Sequence, residues 1–350
     1  MEKYIIKADA TIKDALKRLN ALSGKYPMTL FVTDDAGKVL GTLTDGDIRR
    51  SLVAGAELSA SVAEVMHTDF VALHEGCIDV GEIKRMRARK VTLVPRLAED
   101  GTILRLHDFS RQNSLLPLDA VLMAGGKGER LRPLTDNTPK PLLTLGGKSI
   151  IDYNIEALAQ NGISRISVTT NYLAEQIEEH FSNPVEGVGV KCVKEPCRLG
   201  TIGSLSLIDD IENENVLLMN SDLFTNISYE DMYLSHVESE ADVTVAVTPH
   251  VVSVPFGVLV SDENGNVKGL EEKPVYSYYI NAGIYIIKRE LLTLIPRNRY
   301  YDATDFLEDV IAEGRVVRQF PINGIWIDIG SHADFRHAQD LLRLGYNHRS

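Results

Sequence analysis

Two periods of apolar residues alternate along this chain, and the places where one gives way to the other mark its organisation. Residues 11–24 (TIKDALKRLNALSG) carry the helical spacing and predict a short helix. An apolar strand follows at Thr29–Thr33, then an acidic turn (Asp34-Asp35-Ala36-Gly37), a strand (KVLGTLT) and a new helix start at Asp45. About 63–66 residues later the order recurs, with a helix at Ile78–Arg89, a strand at Val91–Val94, a turn at Glu99-Asp100-Gly101 and a returning strand at Thr102–Leu106. A repeat of this length predicts two similar α/β units packed on each other, the alternative being two unrelated βα units.

From Leu118 onward the pattern changes. Near-continuous apolar or β-branched runs at Asp119–Met123, Ile166–Thr170, Val190–Lys194 and Val216–Met219 alternate with helix-period stretches such as Ile150–Asn161 and Leu173–Phe181. That alternation predicts an α/β domain with a mainly parallel sheet covered on both faces, binding its ligand beyond the carboxyl ends of the strands. The polar, proline-terminated stretch Ser110–Pro117 marks the junction. The expected layout is a paired module at 1–113 (repeats about 1–56 and 57–113), a link at 114–117 and a second domain at 118–350.

Composition narrows the function. Hydrophobic residues at 44% and charged residues at 25% are globular values that argue against a disordered or fibrous chain. No apolar stretch reaches the roughly 18 residues of a membrane span, and MEKYIIKADATIKD carries charges where a signal peptide needs its apolar core. A cytoplasmic protein without a membrane partner is expected. Cys77, Cys192 and Cys197 are too few and too scattered for a disulfide framework or a zinc site. Residues 1–113 hold 17 Lys+Arg against 16 Asp+Glu, so the remaining residues carry 20 against 33. So acidic a second domain does not suit nucleic acid, although one basic pocket with a metal still suits a small triphosphate.

The segment GTLTDGDIRR (Gly41–Arg50) holds the first candidate chemistry. A carboxylate can accept both hydroxyls of a ribose, and a hydroxyl at a helix start can donate to phosphate, although Thr44 or Asp45 could equally cap the helix beginning there. The segment resembles CBS domains, which pair into nucleotide-sensing modules of βαββα-like repeats. That resemblance implies an adenine or guanine nucleotide held by Thr44 and Asp47, and a homo-oligomer; a purely dimerising pair is the alternative. The second repeat offers Leu106-His107-Asp108, without the Thr/Ser–Asp spacing, so no second nucleotide site is implied.

The longest string of candidate residues is AVLMAGGKGERLRPLTDNTPKPLL, Ala120–Leu143. Gly125, Gly126 and Gly128 let backbone N–H groups approach phosphate oxygens. Arg130 can neutralise a triphosphate tail, and Lys140 adds a point charge near a reacting phosphorus. The spacing is neither GxxxxGK[ST] nor GxGxxG, which sets aside ordinary ATPases and dinucleotide binders.

The whole string resembles the signature of sugar-1-phosphate nucleotidyltransferases, a family with a Rossmann-like mixed sheet. That resemblance implies that Ala124 joins the glycine loop in nucleotide binding, and that Glu195, Gly200 and Thr201 of EPCRLGT meet the base. It implies that Asp222 of NSD and Asp328 of WIDIGSHADF hold Mg²⁺. By the same resemblance, Glu272 in GLEEKP contacts the sugar and Lys273 its phosphate, while Gly257, Asn281 and Gly283 line the sugar pocket. The implied reaction is attack by a sugar-1-phosphate oxygen on the α-phosphorus with departure of pyrophosphate, and Arg130, Lys140 and Lys273 are its catalytic cations. A carboxylate at Glu195 suits the N–H edge of guanine, which favours GTP, unless Glu195 faces solvent or pairs with Arg198. The fusion to a CBS pair resembles bacterial guanylyltransferases that make GDP-glucosamine for nonulosonic (legionaminic-type) acids. Uridylyl- and mannose-1-phosphate guanylyltransferases, and a catalytically silent nucleotide-sugar sensor, are the alternatives.

Overall fold

The computed structural model describes residues 1–76 and 78–346, so Cys77 lies outside the described residues. The chain divides into two compact units: Met1–Leu116 with Gln160–Gly162, and Pro117–Ala159 with Ile163–Ser350. Gln160–Gly162 thus group with the first unit, although they lie far beyond its main segment in sequence.

The first unit runs β1 (Ile5–Lys7), α1 (Ile12–Leu22), β2 (Thr29–Thr33), β3 (Val39–Thr44), α2 (Asp45–Val53), β4 (Leu73–His74), α3 (Val80–Ala88), β5 (Leu93–Leu97) and β6 (Ile103–Asp108). Each helix starts on a side-chain cap: Thr11, Thr44 and Asp79 accept from the backbone N–H groups of Asp14, Asp47 and Glu82. The two three-stranded sheets share one topology. β1 pairs β2 in parallel and β2 pairs β3 antiparallel; β4, β5 and β6 repeat this. In the antiparallel pairs the equivalence holds at an offset of 64 residues, taking Thr29 to Leu93 and Thr44 to Asp108, whereas the first strands correspond at 67, Ile6 to Leu73. At the former offset Lys38 corresponds to Thr102, and these two form a bridge with each other. Equivalent residues pair in this way where a twofold axis relates two copies. The apolar faces of both sheets share a core of Leu19, Leu30, Leu43, Leu93 and Leu97.

Two expectations need correction here. β5 begins at Leu93 and runs through Pro95 to Leu97 rather than occupying Val91–Val94; the proline is tolerated because β4 pairs with β5 only from Arg96 onward. The second repeat also stops at β6, with no helix before the next strand, so only the first has the full βαββα order.

The second unit continues with β7 (Leu118–Ala124), a hairpin of β8 (Thr144–Leu145) and β9 (Lys148–Ser149), α4 (Ile150–Gln160), β10 (Arg165–Thr170), α5 (Ala174–His180), β11 (Val190–Lys194), β12 (Asn215–Asn220), β13 (Leu223–Thr225) and α6 (Tyr229–Glu238). Then come β14 (Val243–Ser253), β15 (Val258–Ser261), β16 (Val267–Glu271), β17 (Val275–Lys288), α7 (Ala303–Ala312), β18 (Val317–Pro321), β19 (Trp326–Asp328) and α8 (His332–Arg343). Seven strands form one sheet in the order β11-β10-β7-β12-β17-β14-β18. β17 runs against both its neighbours and the other strands share one direction, so the sheet is mixed. Phe306 and Val310 of α7 pack on one face with Val121, Leu218 and Tyr285. No helix among the described residues is long and apolar enough to cross a membrane.

β14 and β17 outrun the sheet. Past Val247 and Asn281 they pair only with each other, from Val247↔Asn281 to Ser253↔Val275, and form an exposed two-stranded arm tipped by the β15–β16 hairpin. The arm leaves the sheet at a bulge, where the register shifts between Val245↔Tyr285 and Val247↔Asn281. Gly283 sits in that bulge with φ 71°, and a Cβ there would collide with the Asn220 side chain.

A histidine ties α6 to this sheet. His236 is 2% exposed, with Nδ1 2.8 Å from Thr244 Oγ1 and Nε2 3.1 Å from Asn215 Oδ1. Asn215 Oδ1 can only accept, so Nε2 carries the proton, and burial keeps the ring neutral near pH 7. Burial, and then the Lys288 charge, push its pKa down to about 4. Native protein therefore stays unprotonated there until about pH 4, whereas the unfolded chain protonates near 6.5, and stability is lost as pH falls between these values. In urea unfolding at pH 7 and pH 4, wild type should lose about 3 kcal/mol more than His236→Gln. Equal losses would show that His236 does not set this dependence.

Candidate active site

The carboxyl ends of β7, β10, β11 and β12 stand level to within one residue, at Ala124, Thr170, Lys194 and Asn220. Three of these strands are followed directly by residues of one cleft of about 710 Å³: Gly125, Glu195 and Ser221. Ala124, Gly126, Arg130 and Lys140 also line it, with Gly200 and Thr201 on one side. Asp222, Asn281, Gly283 and Asp328 complete the set of sequence-predicted residues that meet there.

The acids converge because of a strand pair. Asp222 precedes β13, Asp328 ends β19, and in that antiparallel pair Leu223 lies opposite Asp328. Lys140 is buried beside them; its Nζ donates to Asp222 Oδ2 and lies 3.6 Å from Asp328 Oδ1. Burial, and next the Asp222 charge, hold the Asp328 carboxyl above its ordinary range, while Lys140 and Arg130 pull it down. Asp222 Oδ1 is buried without a hydrogen-bond partner. Such an orphan acceptor costs about 1–3 kcal/mol, which a hard cation would recover. Two carboxylates of this kind fit Mg²⁺, with phosphate oxygens and water completing the octahedron. Among the described residues there is no group of three His, Cys, Asp or Glu that would enclose a metal by itself.

The glycine loop is shaped around the same lysine. Gly128 has φ 63°, and a Cβ there would press on Thr135 at 3.0 Å and on Lys140 Cβ at 3.1 Å. The loop then turns through Glu129–Leu131, which carries Arg130, whose guanidinium lies over Gly330. Gly126 faces open space.

Glu195 is buried rather than facing solvent. Its Oε1 would stand 2.9 Å from a Cβ on Gly125, and its Oε2 accepts from the Leu199 N–H at 3.4 Å. Burial raises its pKa, against hydrogen bonds from Leu199 and Thr169 and the nearby Arg198 charge. Asn281 spends its side chain on the bulge: Nδ2 donates to the Tyr285 hydroxyl at 2.8 Å and Oδ1 accepts from Gly283 N–H at 2.9 Å.

Sequence reasoning missed part of the wall. Asp302 Oδ1 accepts from both the N–H and the hydroxyl of Thr201, at 2.9 and 3.1 Å, and its Oδ2 accepts from the Tyr300 hydroxyl at 2.8 Å. Nothing in the sequence singled out Asp302, which in the structure also caps α7. Trp326, donating to Ala282 O at 2.9 Å, likewise lines the cleft without having been singled out.

Of the residues predicted for the transferase site, Gly128 packs against Thr135 and Lys140 and does not line the cleft, and three more are not brought to it. Gly257, Glu272 and Lys273 ride on the exposed arm, where a Cβ on Gly257 would meet Glu272 Oε2 at 3.2 Å and Lys273 has φ 46°. The cause is the bulge, beyond which the two strands no longer follow the sheet. In the first unit Thr44 and Asp47 satisfy each other: Asp47 Oδ2 accepts from the Thr44 N–H at 2.8 Å and its hydroxyl at 2.6 Å, a capping box at the start of α2.

Comparison with known proteins agrees with this geometry. The nucleotidyl transferase family model matches residues 119–343, and the CBS domain model matches residues 2–54. The mannose-1-phosphate guanylyltransferase catalytic subunit beta of Drosophila melanogaster is 33% identical over 226 residues, 62% of this chain and 60% of its own length. Its counterpart in Dictyostelium discoideum is 31% identical over 232 residues, 64% of each. The chain thus spans about three-fifths of the length of the curated relatives it matches. Crystal structures of HddC from Yersinia pseudotuberculosis, free and complexed with GMP-PN, match at TM-score 0.51 with 26% and 25% identity, over 64% of this chain and 99% of theirs. Since the matched segment 119–343 holds every residue of the cleft, the chain belongs to the nucleotidyl transferase family and carries a CBS domain ahead of its transferase fold.

Proposed function

We propose that this protein couples GTP to a sugar 1-phosphate, with glucosamine 1-phosphate as the sugar, releasing pyrophosphate. The observation that carries the reading is the meeting of Lys140 with Asp222 and Asp328 beside the glycine loop, a charge arrangement suited to a polyphosphate and its counter-ion.

In this reading a sugar-1-phosphate oxygen attacks the α-phosphorus in line. The new P–O bond forms as the bond to the β-phosphate oxygen breaks, and pyrophosphate departs with the bonding electrons. The protein positions and neutralises and forms no covalent intermediate. Arg130 stabilises the departing pyrophosphate, Lys140 the oxygens of the reacting phosphorus, and the backbone N–H groups of Gly125 and Gly126 cradle the tail. Asp222 and Asp328 would hold Mg²⁺, which when bound neutralises phosphate charge. Lys273 meets the incoming sugar phosphate when the arm approaches the cleft.

Glu195 supports guanine as the base, because a buried carboxylate accepts from N–H donors and donates nothing. The guanylyltransferase names of the relatives and the GMP-PN complex of HddC point the same way. Those names also favour mannose 1-phosphate as a second reading for the sugar; glucosamine 1-phosphate rests on the fusion to a CBS module. A nucleotide at Thr44 and Asp47 would regulate the enzyme, within a cytoplasmic homo-oligomer.

Pyrophosphate release with Mg²⁺, over five nucleoside triphosphates and several sugar 1-phosphates, tests the reaction. Activity confined to GTP is expected; activity with another triphosphate discards the base assignment, and silence from folded protein discards the enzyme. Glu195→Gln should lower kcat/KM for GTP roughly 10-fold or more. Lys140→Ala should lower turnover roughly 10²–10³-fold while the circular dichroism spectrum stays native. Unchanged turnover would remove Lys140 from the chemistry.

A further inference from the structure

The two repeats of the first unit differ on one face of their sheets. At the 64-residue offset, Val32, Gly41 and Leu43 of the first correspond to Arg96, Arg105 and His107 of the second. The registers match: Val32 lies opposite Gly41 and Leu30 opposite Leu43, while Arg96 lies opposite Arg105 and Val94 opposite His107. In each sheet these residues therefore share a face. In the first repeat, Ile48 of α2 is buried in one cluster with Val32 and Leu43, and a Cβ on Gly41 would strike His67 O at 2.7 Å. In the second, residues 109–117 stand where α2 would be, and they are not helical. Three apolar positions have become basic where the covering helix is missing.

These bases have found no acid. Arg96 directly opposes Arg105, a like-charge pair that costs stability. Among the described residues no carboxylate pairs with either arginine. The Arg96 Nε is buried without a hydrogen-bond partner. His107 is 5% exposed and its Nε2 also lacks a partner. Its charged neighbours are Arg105 and Arg96, and Gln112 is its hydrogen-bond partner. A buried guanidinium donor left this way is costly, and guanidinium forks match the oxygens of a phosphate.

We propose that this face of the second repeat is an oxyanion site, taking the phosphate group of a phosphorylated metabolite between Arg96 and Arg105, beside His107. It is not a second copy of the Thr44–Asp47 pair. The equivalents of those two residues are Asp108 and Arg111, and Asp108 Oδ1 accepts from the Ser110 N–H and hydroxyl instead. A dianion turns the opposed arginines from a repulsive pair into a shared clamp.

The test is calorimetric titration of the full chain with inorganic phosphate and with GMP, in EDTA at constant ionic strength. It compares wild type, Arg96→Gln/Arg105→Gln, and Arg130→Gln/Lys140→Gln, which removes cleft cations. Wild type and the cleft variant should bind one equivalent of phosphate alike, with affinity at least tenfold weaker in Arg96→Gln/Arg105→Gln. Equal binding by that variant, or no saturation by phosphate in wild type, overturns the proposal. Tighter binding of GMP, as the component removed by the two substitutions, makes a nucleotide the source of the phosphate; equal binding makes it the bare group. Should the double variant not fold, the exposed Arg105→Gln serves: phosphate should raise the Tm of wild type and leave that of Arg105→Gln unmoved, and equal shifts reject the site.

Discussion

Lys140 is buried between two carboxylates, and the second unit is arranged around that fact. Taking the lysine's charge out of water is costly, and attraction to its two partly exposed carboxylates returns that cost only when the geometry is good. Here the geometry comes from three remote pieces of chain. The loop after β7 supplies the lysine, the turn after β12 supplies Asp222, and the β13–β19 pair carries Asp328 into range. The Gly128 turn keeps its backbone close to the lysine stem, and Gly330 leaves room for Arg130. The arrangement is incomplete as a closed ion cluster, since Asp222 Oδ1 is left without a partner. A site finished by its substrate and counter-ion has this character, whereas a purely structural ion cluster would satisfy itself.

Much of this was legible because it is local. Thr29–Thr33 and Val190–Lys194 match their strands end for end, and the glycine string announces its loop without any tertiary context. The failures are equally physical. β5 hides behind Pro95, whose missing N–H matters only if a neighbouring strand needs it, and β4 is too short to need it. The arm residues looked like pocket residues because their motif is correct; a bulge at Gly283, invisible to periodicity, decides where the strands point. Asp302 was overlooked because it clamps Thr201 across about a hundred residues of chain, a contact no local pattern shows.

The first unit shows that a duplicated topology does not require duplicated chemistry. Strand order survives, and the antiparallel register and the bridge between Lys38 and Thr102 hold at an offset of 64 residues. What has diverged is the face that loses its helix. There arginine and histidine stand at positions that the first repeat keeps for its packed face. In the first repeat the Thr44–Asp47 pair remains tied into a helix cap, so a ligand that takes both groups competes with a bond worth about 1 kcal/mol to the helix.

The arm of β14 and β17 constrains how this family member can change. It is the continuation of two strands of the main sheet, not a loop inserted between them. An insertion or deletion of a single residue in either strand would turn every later side chain to the opposite face, unless another bulge absorbed it. A change in the length of the arm that keeps its pairing is therefore made in paired steps, or at the turn at its tip, while point substitutions along its exposed faces meet no such barrier.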